Sequence, residues 1–287
     1  MPSLRNLPAW LASLPSKSSL VAICAPMAAA CSLRLLLKTP RLLVVDKPRS
    51  LSFHADETGA GGVLAVAREA QETGDLPGGR LYAVHRLDRV TSGCLVLARD
   101  AHTAGLLGRE LRSKGLQKWY VALSARRPSK KMGAVVGDML PARRGAWKLT
   151  RTSNDPARTL FVSSGVPGAR SGLRGFVLRP LTGRTHQLRV AMKSLGAPVL
   201  GDELYADAVE ARRESRAYLH ACALHIPALE PGELPVGVLC PPPQEGEFGT
   251  PEFASWFAGY FPKGGDAASW CSDIAPSLML RECDDDI

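Results

Sequence analysis

The stretch His85-Arg86-Leu87-Asp88-Arg89-Val90-Thr91-Ser92-Gly93 concentrates polar chemistry between two apolar segments. It places one carboxylate, Asp88, between two guanidinium groups. An extended segment, Leu81 to Val84, precedes it, and a continuous apolar run, Cys94 to Ala98, follows it. Such a run is typical of a strand that is buried on both faces. Asp88 is therefore predicted to lie in a polar turn between buried strands, with cations that favour its charged form. It is either a nucleophile or general base, or half of a structural Asp–Arg pair that orders the loop.

A second motif lies far along the chain and supports the catalytic interpretation. It reads Leu181-Thr182-Gly183-Arg184-Thr185-His186-Gln187-Leu188-Arg189-Val190, and Gly-x-Pro-Val-Leu-Gly-Asp follows it from Gly196 to Asp202. Taken together, the motifs resemble those of the RluA-type pseudouridine synthases, in the order of that family, from about Arg41 to about Pro242. The resemblance implies an α+β fold: a single catalytic domain with a mixed, mainly antiparallel central sheet flanked by helices and loops. It also implies an enzyme that isomerises specific uridines in ribosomal or transfer RNA.

The same resemblance assigns roles to individual residues. Asp88 would be the catalytic carboxylate, and Arg189 would pair with it. Tyr120 would stack on the uracil or shuttle a proton, although ordinary packing is the simpler interpretation of this residue without the family. Arg86 would help to displace the target base, because a uridine must leave its stack before a carboxylate can reach it. Leu188 completes the predicted substrate-binding set.

The charge balance favours a polyanionic partner. The chain has 36 Lys and Arg against 27 Asp and Glu, a net charge of +9 and a pI of about 9.4. An ordinary basic protein or a protein on an anionic membrane would have the same balance. Basic residues cluster from Arg126 to Lys131 and again around Arg143 and Arg144. Such a strip is usually a solvated loop, but beside an RNA site it can contact phosphates. We predict RNA contacts from Arg143, Arg144 and Arg184, the last near the start of a helix whose free amides favour an anion.

Hydrophobic periodicity predicts several further elements. Asp100 is expected to cap a helix. Lys118 to Leu123 alternates as a strand with one buried face, and Arg216 to Ile226 alternates as the final strand. The family generally has a second His where this chain has Ala191, which removes a polar group without changing the predicted fold.

Cysteine and histidine patterns argue against a metal site. The seven cysteines are scattered without a Cys-x-x-Cys pair, which indicates neither a zinc ribbon nor a disulfide framework. Cys94 and Cys222 lie in apolar runs and are predicted to be buried. His186, His220 and His225 lack the spacing of zinc ligands and are interpreted as structural. No Walker-type loop or Gly-x-Gly-x-x-Gly fingerprint is present, so we expect no cofactor and no metal.

The N-terminal region contains no acidic residue from Met1 to Val45. This composition is typical of an organellar transit peptide. A secretory signal, a wrongly chosen start codon and a disordered extension are the alternatives. We divide the chain into an extension at 1–38, a catalytic domain at 39–262 and a disordered tail at 263–287. A mitochondrial or other organellar location is expected, with the cytoplasm as the alternative. No stretch reaches the roughly 20 apolar residues of a membrane span, and we expect a monomer without a membrane partner.

Three rival functions remain at this stage. A catalytically inactive RNA-binding or ribosome-assembly factor would keep the fold and lose turnover. A base-excising glycosidase would release free uracil, and a metal-dependent nuclease would need a carboxylate cluster that is not evident around Asp88. The sequence also sets an expectation for stability. If Arg189 is buried against Asp88, replacing Asp88 with Asn should leave that cation poorly compensated, at a cost of about 3 to 5 kcal/mol.

Overall fold

A mixed sheet of eleven strands forms the centre of the computed structural model, which describes residues 20–23, 33–54 and 61–261. Its strands are β1 (Leu20–Ile23), β2 (Arg34–Lys38), β3 (Leu42–Lys47), β4 (Tyr82–Ala83), β5 (Ser92–Ala98), β6 (Gln117–Ser124), β7 (Met132–Gly137), β10 (Ala157–Gly165), β11 (Arg174–Pro180), β12 (Leu219–Ile226) and β13 (Val236–Leu239). A separate hairpin contains β8 (Met139–Pro141) and β9 (Trp147–Leu149). The helices are α1 (Val63–Glu72), α2 (Ala101–Arg112), α3 (Gln187–Ser194), α4 (Ala208–Ala211) and α5 (Pro251–Tyr260).

The order of the strands confirms the predicted fold class. The main path runs β2-β3-β5-β12-β6-β11-β10-β7, with β4 beside β5 and with β13 between β1 and β12. Within the described residues, β5 pairs parallel with β12 and β1 pairs parallel with β13, whereas the other pairs are antiparallel. The protein is therefore α+β, with a mixed and mainly antiparallel sheet.

Both faces of the sheet are covered, which corrects the prediction of a one-sided strand at Lys118 to Leu123. Along β6, Tyr120 and Ala122 join the core that also contains residues of α1, α2 and α3. Trp119, Val121 and Leu123 join a second core on the opposite face, which holds the aromatic side chains of α5. Alternation indicates which face a residue occupies, but it does not show that a distant helix covers the outer face.

The sheet divides at β5, and this division positions the functional region. One edge of β5 pairs with β3 along its whole length. The other edge pairs with β12 only at Ser92 and Gly93, and with β4 only at Leu97 and Ala98. Gly93 has φ 111°, and an added Cβ would overlap the carbonyl oxygen of Ala221, so this close approach requires glycine. Between the two pairings, the connection from β4 to β5 carries the motif that contains Asp88.

The sheet extends beyond two predicted limits. Strand β2 pairs antiparallel with β3, so the sheet begins before residue 39, where we placed the start of the catalytic domain. The residues of β2 belong to the acid-free region, but composition does not decide their structure. They form a strand because they pair with β3. Strand β12 is not the final strand, since β13 follows it and pairs with it.

The strip interpreted as a basic loop is also more ordered than predicted. It contains β7, which pairs with β10, and the β8–β9 hairpin. We call residues 138–155, which include this hairpin, the arm. By contrast, the predicted helix cap is confirmed, because the Asp100 carboxylate accepts the Thr103 N–H at 2.7 Å.

Some predictions fall outside the described part of the chain. The tail at 263–287 lies there, as do residues 1–19 and 24–32 of the N-terminal extension. Within the described residues, Cys94, Cys222 and Cys240 are buried free thiols, which confirms the prediction for the first two. None of the described helices has the length and apolar character needed to cross a membrane.

Candidate active site

A cleft of about 640 Å³ opens where β5 separates from β12, and both sequence motifs line it. The first motif contributes residues 85–88 and Thr91, and the second contributes most of residues 181–188. Other walls come from β6 and from the end of α2. The fold thus brings together two motifs that are far apart in sequence.

His85 fills the gap in the edge of β5. Its Nε2 accepts the N–H of Val96 at 3.2 Å, at a position where neither β4 nor β12 pairs with β5. Burial of the ring, and secondly the positive charge of Lys118, lower the pKa of His85 to about 3. The neutral ring can therefore accept this bond, with its proton on Nδ1. His85 fixes the start of the motif against the sheet, a role that the sequence did not reveal.

Asp88 and Arg189 lie together as predicted, but the main partner of Arg189 is Asp202. Arg189 Nη1 lies 3.6 Å from Asp88 Oδ2. Its Nε and Nη2 donate to the two carboxylate oxygens of Asp202 at 2.7 and 2.8 Å. Bidentate pairs of this kind are among the strongest hydrogen-bonded ion pairs in proteins. The Asp202 side chain is 1% exposed, that of Arg189 6% and that of Asp88 16%. Asp202 therefore neutralises Arg189, and the remaining nitrogen of the guanidinium faces the more open Asp88.

The pKa of Arg189 reflects both carboxylates. Burial alone would lower it, but the hydrogen bonds that Arg189 donates to Asp202 and the charges of Asp202 and Asp88 raise it above its ordinary value. Arg189 consequently stays charged throughout the range in which proteins fold.

Tyr205 braces the same guanidinium from the side. Its ring centroid lies 4.9 Å from Arg189 Cζ, in a cation–π arrangement. Its hydroxyl accepts the N–H of Trp147 at 2.9 Å and lies 3.0 Å from His186 Nδ1. Tyr205 thus connects Arg189 to strand β9 of the arm.

Gln187 holds the second motif in place. Its side-chain oxygen accepts from the Thr182 hydroxyl at 2.7 Å and from the Arg184 N–H at 2.9 Å. Its amide nitrogen donates to the Arg158 carbonyl and the Thr159 hydroxyl on β10. Buried at 6% exposure, this amide is fully satisfied. The main-chain N–H of Arg184 is therefore already bonded and is not free to bind an anion, and helix α3 begins only at Gln187. The exposed Arg184 guanidinium pairs with Asp155 at the edge of the cleft.

The remaining predicted substrate residues also line the cleft. Tyr120 and Leu188 are buried in its walls, and Arg86 is exposed at its edge. Burial and then the charge of Asp88 raise the pKa of Tyr120 well above its ordinary value, so its hydroxyl stays protonated. Lys118 faces the same cleft from the same strand as Tyr120, and burial lowers its pKa.

Arg143 and Arg144 do not line the cleft. They lie on an exposed turn between β8 and β9, where Arg144 has φ 57° in the left-handed region. The base of the arm is fastened by Asp138, whose carboxylate accepts the N–H groups of Asn154 and Asp155 at 3.0 and 2.8 Å. The two arginines therefore project from a hairpin that is anchored beside the cleft.

A buried polar network lies behind the first motif. His220 Nε2 donates to the Cys240 carbonyl at 2.9 Å, which leaves Nδ1 as the acceptor for the Ser92 hydroxyl at 2.8 Å. The same hydroxyl accepts from Arg216. Burial lowers the pKa of His220 to about 4, in keeping with a neutral ring. Both ring nitrogens are satisfied, which confirms the structural interpretation of His220. Among the described residues, no group of three or more His, Cys, Asp or Glu side chains is placed to hold a metal.

Lys47 is a second group whose importance the sequence did not show. It is 0% exposed, and its ammonium donates to the carbonyls of Pro48 and Leu51 at 2.9 and 2.8 Å. Burial lowers its pKa to about 8, against an opposing effect of the Asp88 charge. Nothing in its sequence context assigned it a role. The sequence did indicate that Asp202 is important, because this residue ends the Gly196 to Asp202 motif. It did not indicate that Arg189 is the partner of Asp202.

Comparisons with known proteins identify the family of this chain. A family model described as RNA pseudouridylate synthase matches residues 41–194. An uncharacterized RNA pseudouridine synthase of Haemophilus influenzae is 42% identical over 206 residues, which cover 72% of this chain and 85% of that protein. The dual-specificity RNA pseudouridine synthase RluA of Escherichia coli (strain K12) is 32% identical over 201 residues, 67% of this chain and 85% of that protein. The solved structure of human RNA pseudouridylate synthase domain containing 1 matches with a TM-score of 0.58 and 26% identity, covering 76% of this chain and 86% of that one. The chain therefore belongs to the RluA-type family of RNA pseudouridine synthases.

Proposed function

We propose that this enzyme isomerises specific uridines in ribosomal or transfer RNA and that Asp88 is its catalytic carboxylate. The observation that carries the proposal is the position of Asp88, partly open to the cleft while the buried Arg189 behind it is already neutralised by Asp202. Asp88 is thus the carboxylate of this group that a substrate can reach.

The chemistry requires few groups. The bond between ribose and the uracil ring nitrogen breaks, the base rotates, and a bond to carbon 5 forms while the hydrogen of that carbon leaves. Asp88 would either attack the sugar or base covalently or remove a proton from the ribose, and both routes use its negative charge. The protonated Tyr120 would stack on the uracil or donate a proton, beside the apolar wall of Leu188. Arg86, exposed at the edge of the cleft, would displace the target base from its stack.

Cations around the cleft would hold the RNA. Arg184 and Lys118 line the cleft, and Arg143 and Arg144 project from the arm. The exposed loop from 126 to 131 adds four further basic residues, Arg126, Arg127, Lys130 and Lys131. Phosphate contacts of this kind set affinity and register, while the fit of the target base in the cleft selects the uridine.

The test is an activity assay on the variant Asp88→Asn. Unmodified transcripts of ribosomal and transfer RNA, labelled with tritium at carbon 5 of uridine, lose tritium as pseudouridine forms. Asp88→Asn should reduce this release to background while RNA binding survives. The control is Asp75→Asn, which removes an exposed carboxylate away from the cleft and should keep full activity.

Three results would overturn the proposal. Tritium release by a folded Asp88→Asn protein would show that another group performs the chemistry. Free uracil among the products of the native enzyme would indicate a glycosidase. No turnover by the native enzyme on any of these transcripts, combined with tight binding, would support an inactive assembly factor. Pseudouridine mapping in cells with and without the protein then identifies the target.

A further inference from the structure

We propose that Tyr205 is a positioning residue that transmits RNA binding at the arm to the Arg189–Asp88 pair. The inference rests on the proposed function, since it takes the arm to be a phosphate-binding element and Asp88 to be the reacting carboxylate. Tyr205 is 4% exposed and touches both systems, through its ring on one side and its hydroxyl on the other.

The ring orients Arg189 without neutralising it. Asp202 already supplies the compensating charge through two hydrogen bonds. Those bonds define the plane of the guanidinium, and the Tyr205 ring, 4.9 Å from Cζ, limits how that plane can tilt. Arg189 Nη1 lies 3.6 Å from Asp88, longer than a direct hydrogen bond. A small tilt of the guanidinium therefore decides whether Nη1 bonds to Asp88.

The hydroxyl ties the ring to the arm. It accepts the main-chain N–H of Trp147, which lies on β9 directly after the turn that carries Arg143 and Arg144. A displacement of β9 must therefore either move the Tyr205 ring or break this bond. His186 Nδ1, on the other side of the hydroxyl, fixes the tyrosine at the N-terminal end of α3.

The arm is suited to respond to RNA. Its turn is exposed, carries two adjacent arginines and has no buried residue that would hold it against the core. Its base has a second connection to the cleft, because Asp155 pairs with Arg184. Phosphates bound at Arg143 and Arg144 would shift the hairpin around this base. We infer that the shift reaches Arg189 through Trp147 and Tyr205, and brings Nη1 into bonding distance of Asp88 when RNA is in place.

The variant Tyr205→Phe keeps the ring against Arg189 and removes the hydroxyl, with its bond to Trp147 and its contact with His186. Only the bond to Trp147 leads to the arm, so a comparison with a variant that lacks the two arginines of the arm separates this link from the contact with His186. The matched control is Tyr260→Phe. Tyr260 lies on α5, away from the cleft, and the variant removes a hydroxyl that is bonded to Ser164 at 3.1 Å. Single-turnover rates are measured with the enzyme in saturating excess over the tritium-labelled transcript, in the native background and with Arg143 and Arg144 both replaced by alanine. Melting temperatures of all variants are measured alongside.

The inference predicts a rate that depends on the background. Tyr205→Phe should slow the native enzyme about five- to tenfold, the equivalent of one hydrogen bond, with little change in RNA affinity. In the double-alanine background it should change the rate less than about twofold, because the arm no longer transmits a signal. Tyr260→Phe should leave the rate unchanged both in the native enzyme and in the double-alanine variant.

Each contrary outcome overturns the inference. A native rate for Tyr205→Phe would show that the hydroxyl transmits nothing. An equal loss in both backgrounds would show a purely structural role. Unchanged RNA affinity after replacement of both arginines would remove the arm as the binding element, yet leave the result for Asp88→Asn, and with it the proposed function, intact.

Discussion

Replacing Asp202 with Asn should destabilise the protein far more than replacing Asp88 with Asn, although both carboxylates contact Arg189. Asp202→Asn removes the bidentate partner of a guanidinium that is only 6% exposed. Breaking a buried pair in this way costs about 3 to 5 kcal/mol. The guanidinium loses its two direct hydrogen bonds to a carboxylate and keeps only the longer contact with Asp88. For a domain of about 150 to 250 residues, that loss lowers the melting temperature by roughly 6 to 20 °C.

Asp88→Asn should cost about 1 kcal/mol or less, the range of a single hydrogen bond. Asp202 still neutralises Arg189 in that variant, and the lost contact at 3.6 Å is long. The repulsion between the two carboxylates also disappears. The structure thus revises the 3 to 5 kcal/mol that a buried Asp88–Arg189 pair alone would imply, and assigns that cost to Asp202.

Urea unfolding of the two variants and of Asp75→Asn measures the difference. The exposed Asp75 provides the baseline for a change from carboxylate to amide at the surface. An equal loss for Asp88→Asn and Asp202→Asn would refute the reasoning, because it would make Asp88 a counter-ion of equal weight. A small loss for both would mean that Arg189 reaches solvent when a carboxylate is removed.

Three further predictions follow from charge and burial. Replacing Arg143 and Arg144 with alanine should weaken RNA binding and reduce the slope of log affinity against log salt by about 2, and an unchanged slope would place the RNA elsewhere. Lys47→Met should remove a rise in stability between pH 8 and 10.5. The pKa of Lys47 is about 8 in the folded protein and 10.5 in an ordinary lysine, so between these pH values only the unfolded state holds the proton. The free energy of unfolding should therefore rise by on the order of 3 kcal/mol across this range, and unfolding experiments at both pH values measure the rise. An N-terminal transit segment remains a proposal, and a reporter fused to Met1–Leu37 that stays cytosolic in the source cell would reject it.

Much of the scaffold was predictable because its signals are local. The apolar run from Cys94 to Ala98 is typical of a strand that is buried on both faces, and the structure buries every residue of β5. The polar motif before it had to form a turn, since it joins two strands that pair with each other. Asp100 capped its helix for an equally local reason, because its side chain reaches the amide three residues ahead.

The partners inside the site were not predictable in the same way. That Arg189 binds Asp202 depends on the path of the chain after α3, which returns the Gly196 to Asp202 motif to the helix it has just left. The role of Tyr205 depends on the arm, whose exposed basic turn has the composition of a solvated loop. Hydrophobic periodicity indicates which face of a helix or strand is buried. It does not indicate which polar side chains will pair with each other across a tertiary contact.

The arrangement of charge explains how an RNA enzyme can place a carboxylate at the centre of its cleft. Asp88 would repel an approaching phosphate if its charge stood alone. Arg189 offsets that charge from behind, yet Arg189 is shared with Asp202, so the buried group as a whole keeps one net negative charge. The cations that can attract phosphate must therefore lie further out, and Arg86 and Arg184 do lie exposed along the cleft. In the function proposed above, the backbone of the RNA would thus be drawn to the rim, while the uncharged uracil base, which carries no phosphate, would approach Asp88.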